Sequence, residues 1–309
     1  MTGALSLRFS TQAQHDVRRI TNQLSDLQAQ IASGARARDL QGFGGGASGR
    51  LLNAQGMVAA SDARGSVLGQ LQARFGVQGA ALGQVSEATR MLQQSILDAL
   101  SANDGRGIST ELDLSFASIV SALNETWNGQ PLFSGERQNV KTIKFSTLDQ
   151  LQTLTQPEDM FDESSRPQTI ELSAGEPAAI SAKASDLSQG LFNTLRALAN
   201  LVDGNGGTIG QPISNDTRDI LQNLAGQLGS EAEKFTTEEG RSGQLATRFE
   251  QERIRLTERS NLLVKEIGEE ADADIGAITI QLNSLLVQYE AAAKTFSDLS
   301  NLSLLNYLR

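Results

Sequence analysis

Residues 42–50 read GFGGGASGR and hold Gly44, Gly46 and Gly49 in the order G-x-G-x-x-G. That spacing lets backbone amides close around a pyrophosphate, so the first chemistry to test is nucleotide binding. Such a loop needs a buried strand directly before it, a helix directly after it and an acidic residue about twenty positions on. The preceding stretch, LQAQIASGARARDLQ, is the tail of a helix and a polar loop, with no β-branched run. Asp62 lies at a suitable distance, but no alternation of strands and helices follows to build a parallel sheet. Gly42, Gly44, Gly45, Gly46 and Gly49 are therefore read as a hinge between a helix ending near Ser33–Gly34 and another starting near Arg50.

The remaining reactive residue types assemble no site either. His15 is the only histidine and lies within a helical pattern, which rules out histidine triads and multi-histidine metal centres. There is no cysteine, so disulfides, thiol nucleophiles and thiolate metal sites are excluded. The acidic runs EDMFDE (158–163) and EEADAD (269–274) lack the glycine-centred ligand spacing of a calcium loop and read as solvated faces. In RFEQERIRLTER (248–259), Glu250, Glu252 and Glu258 can offset the arginines of one helix face. The chain is expected to be no enzyme and to hold no cofactor or metal.

Charge and hydropathy narrow the partners. A net charge of −10 argues against nucleic acid, which needs clustered Lys and Arg. The imbalance is local: residues 1–50 carry six arginines against three aspartates, whereas residues 146–186 carry eight acids against Arg166 and Lys183. No apolar run approaches the ~18 residues of a membrane span, and MTGALSLRFS lacks the apolar core of a cleaved signal peptide. No membrane partner is expected, and any export is expected to use another route.

Two proline-free arms flank the segment that holds all five prolines, from Pro131 to Pro212. Because proline breaks helix interiors, this pattern reads as helix, other, helix. In the C-terminal arm apolar residues recur at Ile275, Ile278, Leu282, Leu285, Tyr289, Ala292, Phe296 and Leu299, then Leu302, Leu305 and Leu308. The alternation of three and four is a heptad seam, and the helix would be roughly 50 Å long. Near the other end Ala13, Val17, Ile20, Leu24, Leu27 and Ile31 keep the same spacing after a capping-box pattern from Thr11 to Gln14. Two seams at opposite ends of one chain are natural partners.

Between the arms, residues 66–103, 109–129, 185–207 and 217–267 read as helices, and 142–148, 168–174 and 178–183 as short strands. The expected fold is mainly α, with long terminal helices pairing as a coiled-coil-like bundle, a helical rod domain and a small β-containing insert. The expected divisions are 1–41 with 272–309, 42–135 with 186–271, and 136–185 for the acidic insert.

These residues carry a family resemblance. LQAQIASGARARDL resembles the helix-to-loop segment near the N-terminus of bacterial flagellins and their hook-associated relatives, with its Ser-Gly step at Ser33 and Gly34 and Arg36 close by. LNETWNGQPLFSGERQNV (123–140) resembles the helix end, glycine turn and Leu-Phe-Ser-Gly of the family's hook-filament junction members, and RPQTIELSAGEPAAI their β region. AAAKTFSDLSNLSLLNYLR is similar to their C-terminus, with Leu304, Leu305, Tyr307 and Leu308 in the Leu-Leu-x-Tyr-Leu ending. The family's paired acidic residues in the first loop are missing, since ARDLQGFGGGASG holds only Asp39.

The resemblance implies an extracellular structural protein of the flagellum, exported unprocessed by the flagellar type III apparatus. It implies self-assembly in a ring or short layer at the hook-filament junction, with a second junction protein on one side and flagellin on the other. The assembly residues are then Val17, Ile20, Leu24, Leu27, Ile31, Leu282, Leu285, Tyr289, Phe296, Leu299, Leu302, Leu305 and Leu308. Before export an apolar stripe of this kind is a surface for a chaperone. A minor flagellin of the filament is the alternative within the family; a cytoplasmic helical scaffold is the alternative outside it.

Overall fold

The proline-free stretches form helices far longer than ordinary globular ones. The computed structural model describes residues 2–37, 39–154, 157–173, 176–179 and 182–307, and within these the side chains other than 2–10, 13, 40–41, 157–158, 170–173, 176–179 and 296–307. In order come α1 (Thr2–Ser33), a 3₁₀ turn (Leu40–Phe43), α2 (Gly45–Ala102), α3 (Ile108–Leu123), β1 (Thr126–Trp127) and β2 (Gln130–Pro131). Then follow α4 (Leu148–Thr153), a second 3₁₀ turn (Pro157–Met160), β3 (Thr169–Ser173), β4 (Glu176–Ala179), α5 (Ala184–Gly204), α6 (Asn215–Ala271) and α7 (Ile275–Tyr307). The chain is thus mainly α, with two small antiparallel hairpins, β1–β2 and β3–β4.

Several boundaries differ from the sequence expectation, each for a local reason. α1 starts at Thr2, so Thr11 and Gln14 lie inside it and form no cap. Nothing between residues 2 and 11 breaks a helix. α3 ends at Leu123, six residues before Gly129. There Asn128 (φ 51°) and Gly129 (φ 76°) both adopt left-handed backbone, the requirement of a type I′ turn, and Trp127 pairs with Gln130 across it. The alternation in 142–148 reports burial correctly, since Ile143 and Phe145 are both buried, but makes no strand. The Ile143 amide donates to Asn124 Oδ1 at 2.9 Å and the Lys144 amide to the Met160 carbonyl, and Thr147 caps α4. No continuous partner edge is left, and a single bridge from Ile143 to Phe161 remains. The expected strand at 178–183 appears as β4, shifted earlier, with residues 180 and 181 outside those described.

The chain divides into two units, Met1–Arg64 with Arg255–Arg309, here the terminal unit, and Gly65–Ile254, the central unit. The division falls within α2 and α6 rather than at the glycine loop, and residues 136–185 belong to the central unit.

The central unit has a continuous core. Leu82, Val85, Leu92 and Ile96 of α2 join Ile108, Leu112 and Ile119 of α3, Leu191, Leu195 and Leu198 of α5, and Leu221, Leu228 and Phe235 of α6. The acidic stretch is built onto this core: Ile143, Phe145, Leu151, Met160 and Phe161 are part of the same cluster. At its centre the Phe192 ring meets Phe145 edge-on at 5.0 Å, with Phe161 at 6.1 Å and Phe116 at 6.5 Å. Close helix approach is made by small residues. At Gly190 of α5 a Cβ would lie 2.5 Å from the Glu231 carboxylate of α6, so a larger residue there requires that side chain to move. Among the described residues Arg74 is a buried cation, 6% exposed, whose Nε and Nη2 have no hydrogen-bond partner. Burial lowers its pKa from the ordinary arginine value.

Candidate functional site

The terminal unit is made differently from the central one. α1 and α7 pack along one another, and the chain enters and leaves the pair at the same end, so the two helices run antiparallel. Along the expected seam of α1, Ile20 and Leu24 are buried, and Val17, Leu27 and Ile31 are half-buried. On α7, Ile278 is buried and Leu282, Leu285 and Ala292 are half-buried, while Ile275 and Tyr289 are exposed. The side chains of Ala13, Phe296, Leu299, Leu302 and Leu305 lie outside the described residues, as does Leu308 altogether.

Sequence reasoning missed a second apolar face on α7. Ile280 is 73% exposed, Val287 66% and Leu286 40%. Ile280 and Val287 stand seven apart and define a stripe beside the seam, a signal present in the sequence but masked by the stronger heptad. Among the described residues, the buried hydrophobics of the terminal unit are Ile20, Leu24, Leu51 and Ile278, whereas Leu52, Leu262, Val264, Ile275, Ile280, Leu286, Val287 and Tyr289 are exposed. Fully burying one such side chain is worth about 1.5–3 kcal/mol, so this unit leaves much of its apolar stabilisation unrealised.

The joint below the helix pair is more ordered than a run of glycines suggests. Gly34 (φ 69°) ends α1 and Gly44 (φ 78°) precedes α2; both backbones favour glycine. Gly45, Gly46 and Gly49 lie within the first turns of α2, which correct the helix start from Arg50 to Gly45. The Ser48 amide and hydroxyl both donate to the Gly44 carbonyl, at 3.0 and 2.6 Å, and close that turn despite the poor helix propensity of glycine. Gly42 sits in the 3₁₀ turn, its amide donating to the Asp39 carboxylate at 2.9 Å. The single acid of this loop therefore has a turn-forming role.

The acidic runs also resolve into structural partners. Asp274 accepts from the Ala277 amide at 3.0 Å and caps α7. Arg50 donates to both carboxylate oxygens of Glu270, the shorter contact being 2.5 Å. Hydrogen bonds from Arg50, and then its charge, hold the Glu270 carboxyl below the usual range. Because the folded pKa is depressed, the contribution is present above the unfolded pKa and is lost as pH falls through the folded one. Glu270→Gln is therefore expected to lower thermal stability near pH 7 and to leave it unchanged well below pH 4, a contrast that melting curves at the two pH values will read. Asp162 pairs with Arg137, and Glu163 with Lys183 and Ser185. His15 is exposed on α1. Among the described residues no group of three or more His, Cys, Asp or Glu could hold a metal ion, and no helix is long and apolar enough to cross a membrane.

The mainly helical fold with its small hairpins also occurs among solved structures. In particular, it is similar to a putative flagellar hook-associated protein from Vibrio parahaemolyticus, with a TM-score of 0.58 and 16% identity over 72% of this chain and 96% of that one. FlgL from Bacillus cereus aligns with a TM-score of 0.42 and 14% identity over 62% of this chain and 97% of its own. No family model matches the sequence, and no curated protein matches it.

Proposed function

We propose that this chain is a structural component of the bacterial flagellum that assembles at the hook-filament junction through its terminal helices. The observation that carries the reading is the imbalance between the two units. The central unit has a closed core, while the terminal unit exposes Ile280, Leu286 and Val287 on a helix with one buried hydrophobic side chain, Ile278, among those described. An apolar helix face of this kind gains its stability when neighbouring subunits cover it, so ordering and polymerisation are coupled. The hook-associated fold supports the flagellar setting.

In this reading the chain is exported without cleavage and forms a ring or short layer of its own copies. It meets a second junction protein on the hook side and flagellin on the other, and an export chaperone covers α7 beforehand. Its work is mechanical joining, not catalysis. Immunogold labelling of isolated flagella tests it: a discrete band at the boundary between hook and filament is expected. Label spread along the filament would instead make the chain a minor flagellin, and its absence from flagella would overturn the flagellar reading.

A further inference from the structure

Within the central unit, residues 68–78 of α2 are packed differently from the rest of that helix. The main core draws on α2 from Ala81 onward and on α6 as far as Phe235. Outside that cluster Leu68, Leu71 and Phe75 of α2 and Phe249 of α6 are also buried, with the Phe75 and Phe249 rings 5.6 Å apart. Polar groups share this stretch. Gln78 is 4% exposed; its amide nitrogen donates to the Ser242 hydroxyl only at 3.4 Å, and its Oε1 has no partner among the described residues. Arg74, one turn earlier, is buried with Nε and Nη2 unpartnered. Those two atoms form the edge of a guanidinium that grips a carboxylate side-on. Arg50, Arg106 and Arg253 each turn that edge to an acid: Glu270, Asp104 and Glu250. Nothing equivalent is at hand for Arg74. From residue 65 to 86 α2 contains no Asp or Glu, and Glu250, next to Phe249, is already held by Arg253 at 2.9 and 2.7 Å.

We propose that the contact between residues 68–78 of α2 and 242–249 of α6 is a point of local opening set by Arg74, from which unfolding of the central unit begins. A buried lysine or carboxyl group relieves such a position by becoming neutral, but arginine keeps its proton, so the cost falls on the packing. When the contact opens, the guanidinium and the Gln78 amide regain water, and this offsets the exposure of Leu68, Leu71 and Phe75. The main core from Ala81 onward has no buried arginine of this kind among the described residues and stays shut. Gly76 weakens the same turns. A Cβ there would meet nothing within 4 Å, so packing does not require the glycine, and its low helix propensity favours opening. The opening is a property of the free chain. Its use rests on the proposed function: a chain exported in an unfolded form needs a place where its closed central unit starts to come apart.

Hydrogen exchange of the purified full chain tests the opening. Amides of residues 70–78 are expected to be protected about tenfold or more weakly than those of residues 85–96 of the same helix. Arg74→Met removes the charge and keeps an unbranched side chain; it should raise protection at 70–78 by about tenfold and change that at 85–96 by less than about twofold. Even protection along α2 in the wild type overturns the proposal, and so does Arg74→Met leaving or lowering protection at 70–78. If circular dichroism shows that Arg74→Met has lost helix, Gly76→Ala decides alone: protection at 70–78 should rise about two- to fivefold, and an unchanged value overturns the opening. Secretion into the culture medium reads its use. Slower appearance of Arg74→Met than of the wild type supports that use, and equal rates overturn it. Absence of the wild-type chain from the medium tells against the flagellar reading, while the exchange result still decides the opening.

Discussion

Removing residues 296–309 is expected to leave residues 65–254 folded and to abolish incorporation into flagella. The two outcomes separate because the units are stabilised differently. Leu82, Leu92, Phe192 and Phe235 are closed off inside the central unit and owe nothing to the last helical turns. α7 runs to Tyr307, so the deletion takes about three of its turns together with Phe296, Leu299, Leu302, Leu305 and Leu308. A shortened α7 also loses the length over which apolar stripes can be covered by neighbours, and short helices without covered faces are marginal in water. Two measurements check this: the thermal transition of the central unit, which should stay in place, and immunoblots of sheared flagella, which should lose the protein. Normal incorporation of the truncated chain would remove the assembly role given to those residues.

Phe192→Ala should have the largest effect on stability. Its ring is fully buried and touches Phe116, Phe145 and Phe161, three aromatics contributed by α3 and by the acidic stretch. A large-to-small change at such a site costs about 3–5 kcal/mol, the transfer term plus the cavity left when neighbours collapse only in part. For a unit of this size that corresponds to a fall in melting temperature of roughly 6–20 °C. Leu114, 62% exposed on the outer side of α3, provides the comparison: Leu114→Ala should stay within about 0.5 kcal/mol. Differential scanning calorimetry of both variants reads the contrast. Equal, small shifts would mean that residues 142–161 do not pack on Phe192 in solution.

Much of this architecture was legible in the residues. Proline placement separated the long helices from the segment with hairpins, because a missing amide and a fixed φ act wherever proline stands. The heptads at 17–31 and 275–299 marked both terminal helices, since a period of 3.5 records which side faces a partner. The absence of histidine pairs and cysteines bounded the chemistry before any fold was considered. The helix boundaries were less legible. Asn128 and Gly129 turned a predicted helix end into a hairpin, and Ser48 closed a helical turn over three glycines, because local hydrogen bonds outweighed propensity.

Composition and periodicity by themselves determined that the chain is mainly helical, with apolar seams at both ends. Only the tertiary structure decided how far those seams are buried. It showed that residues 142–161 close the central core, that Ile280 and Val287 stay exposed, and that Gly34 and Ala273 are bonded to each other. The physical reason is that periodicity along a helix is a local property, fixed by 3.6 residues per turn. Whether a given stripe is buried, and which distant amide meets which carbonyl, depends on segments separated by most of the chain. The glycines at 44, 46 and 49 show both sides of this: their spacing suggested a phosphate cradle, and the fold sets Gly44 just before α2 and Gly46 and Gly49 inside its first turns.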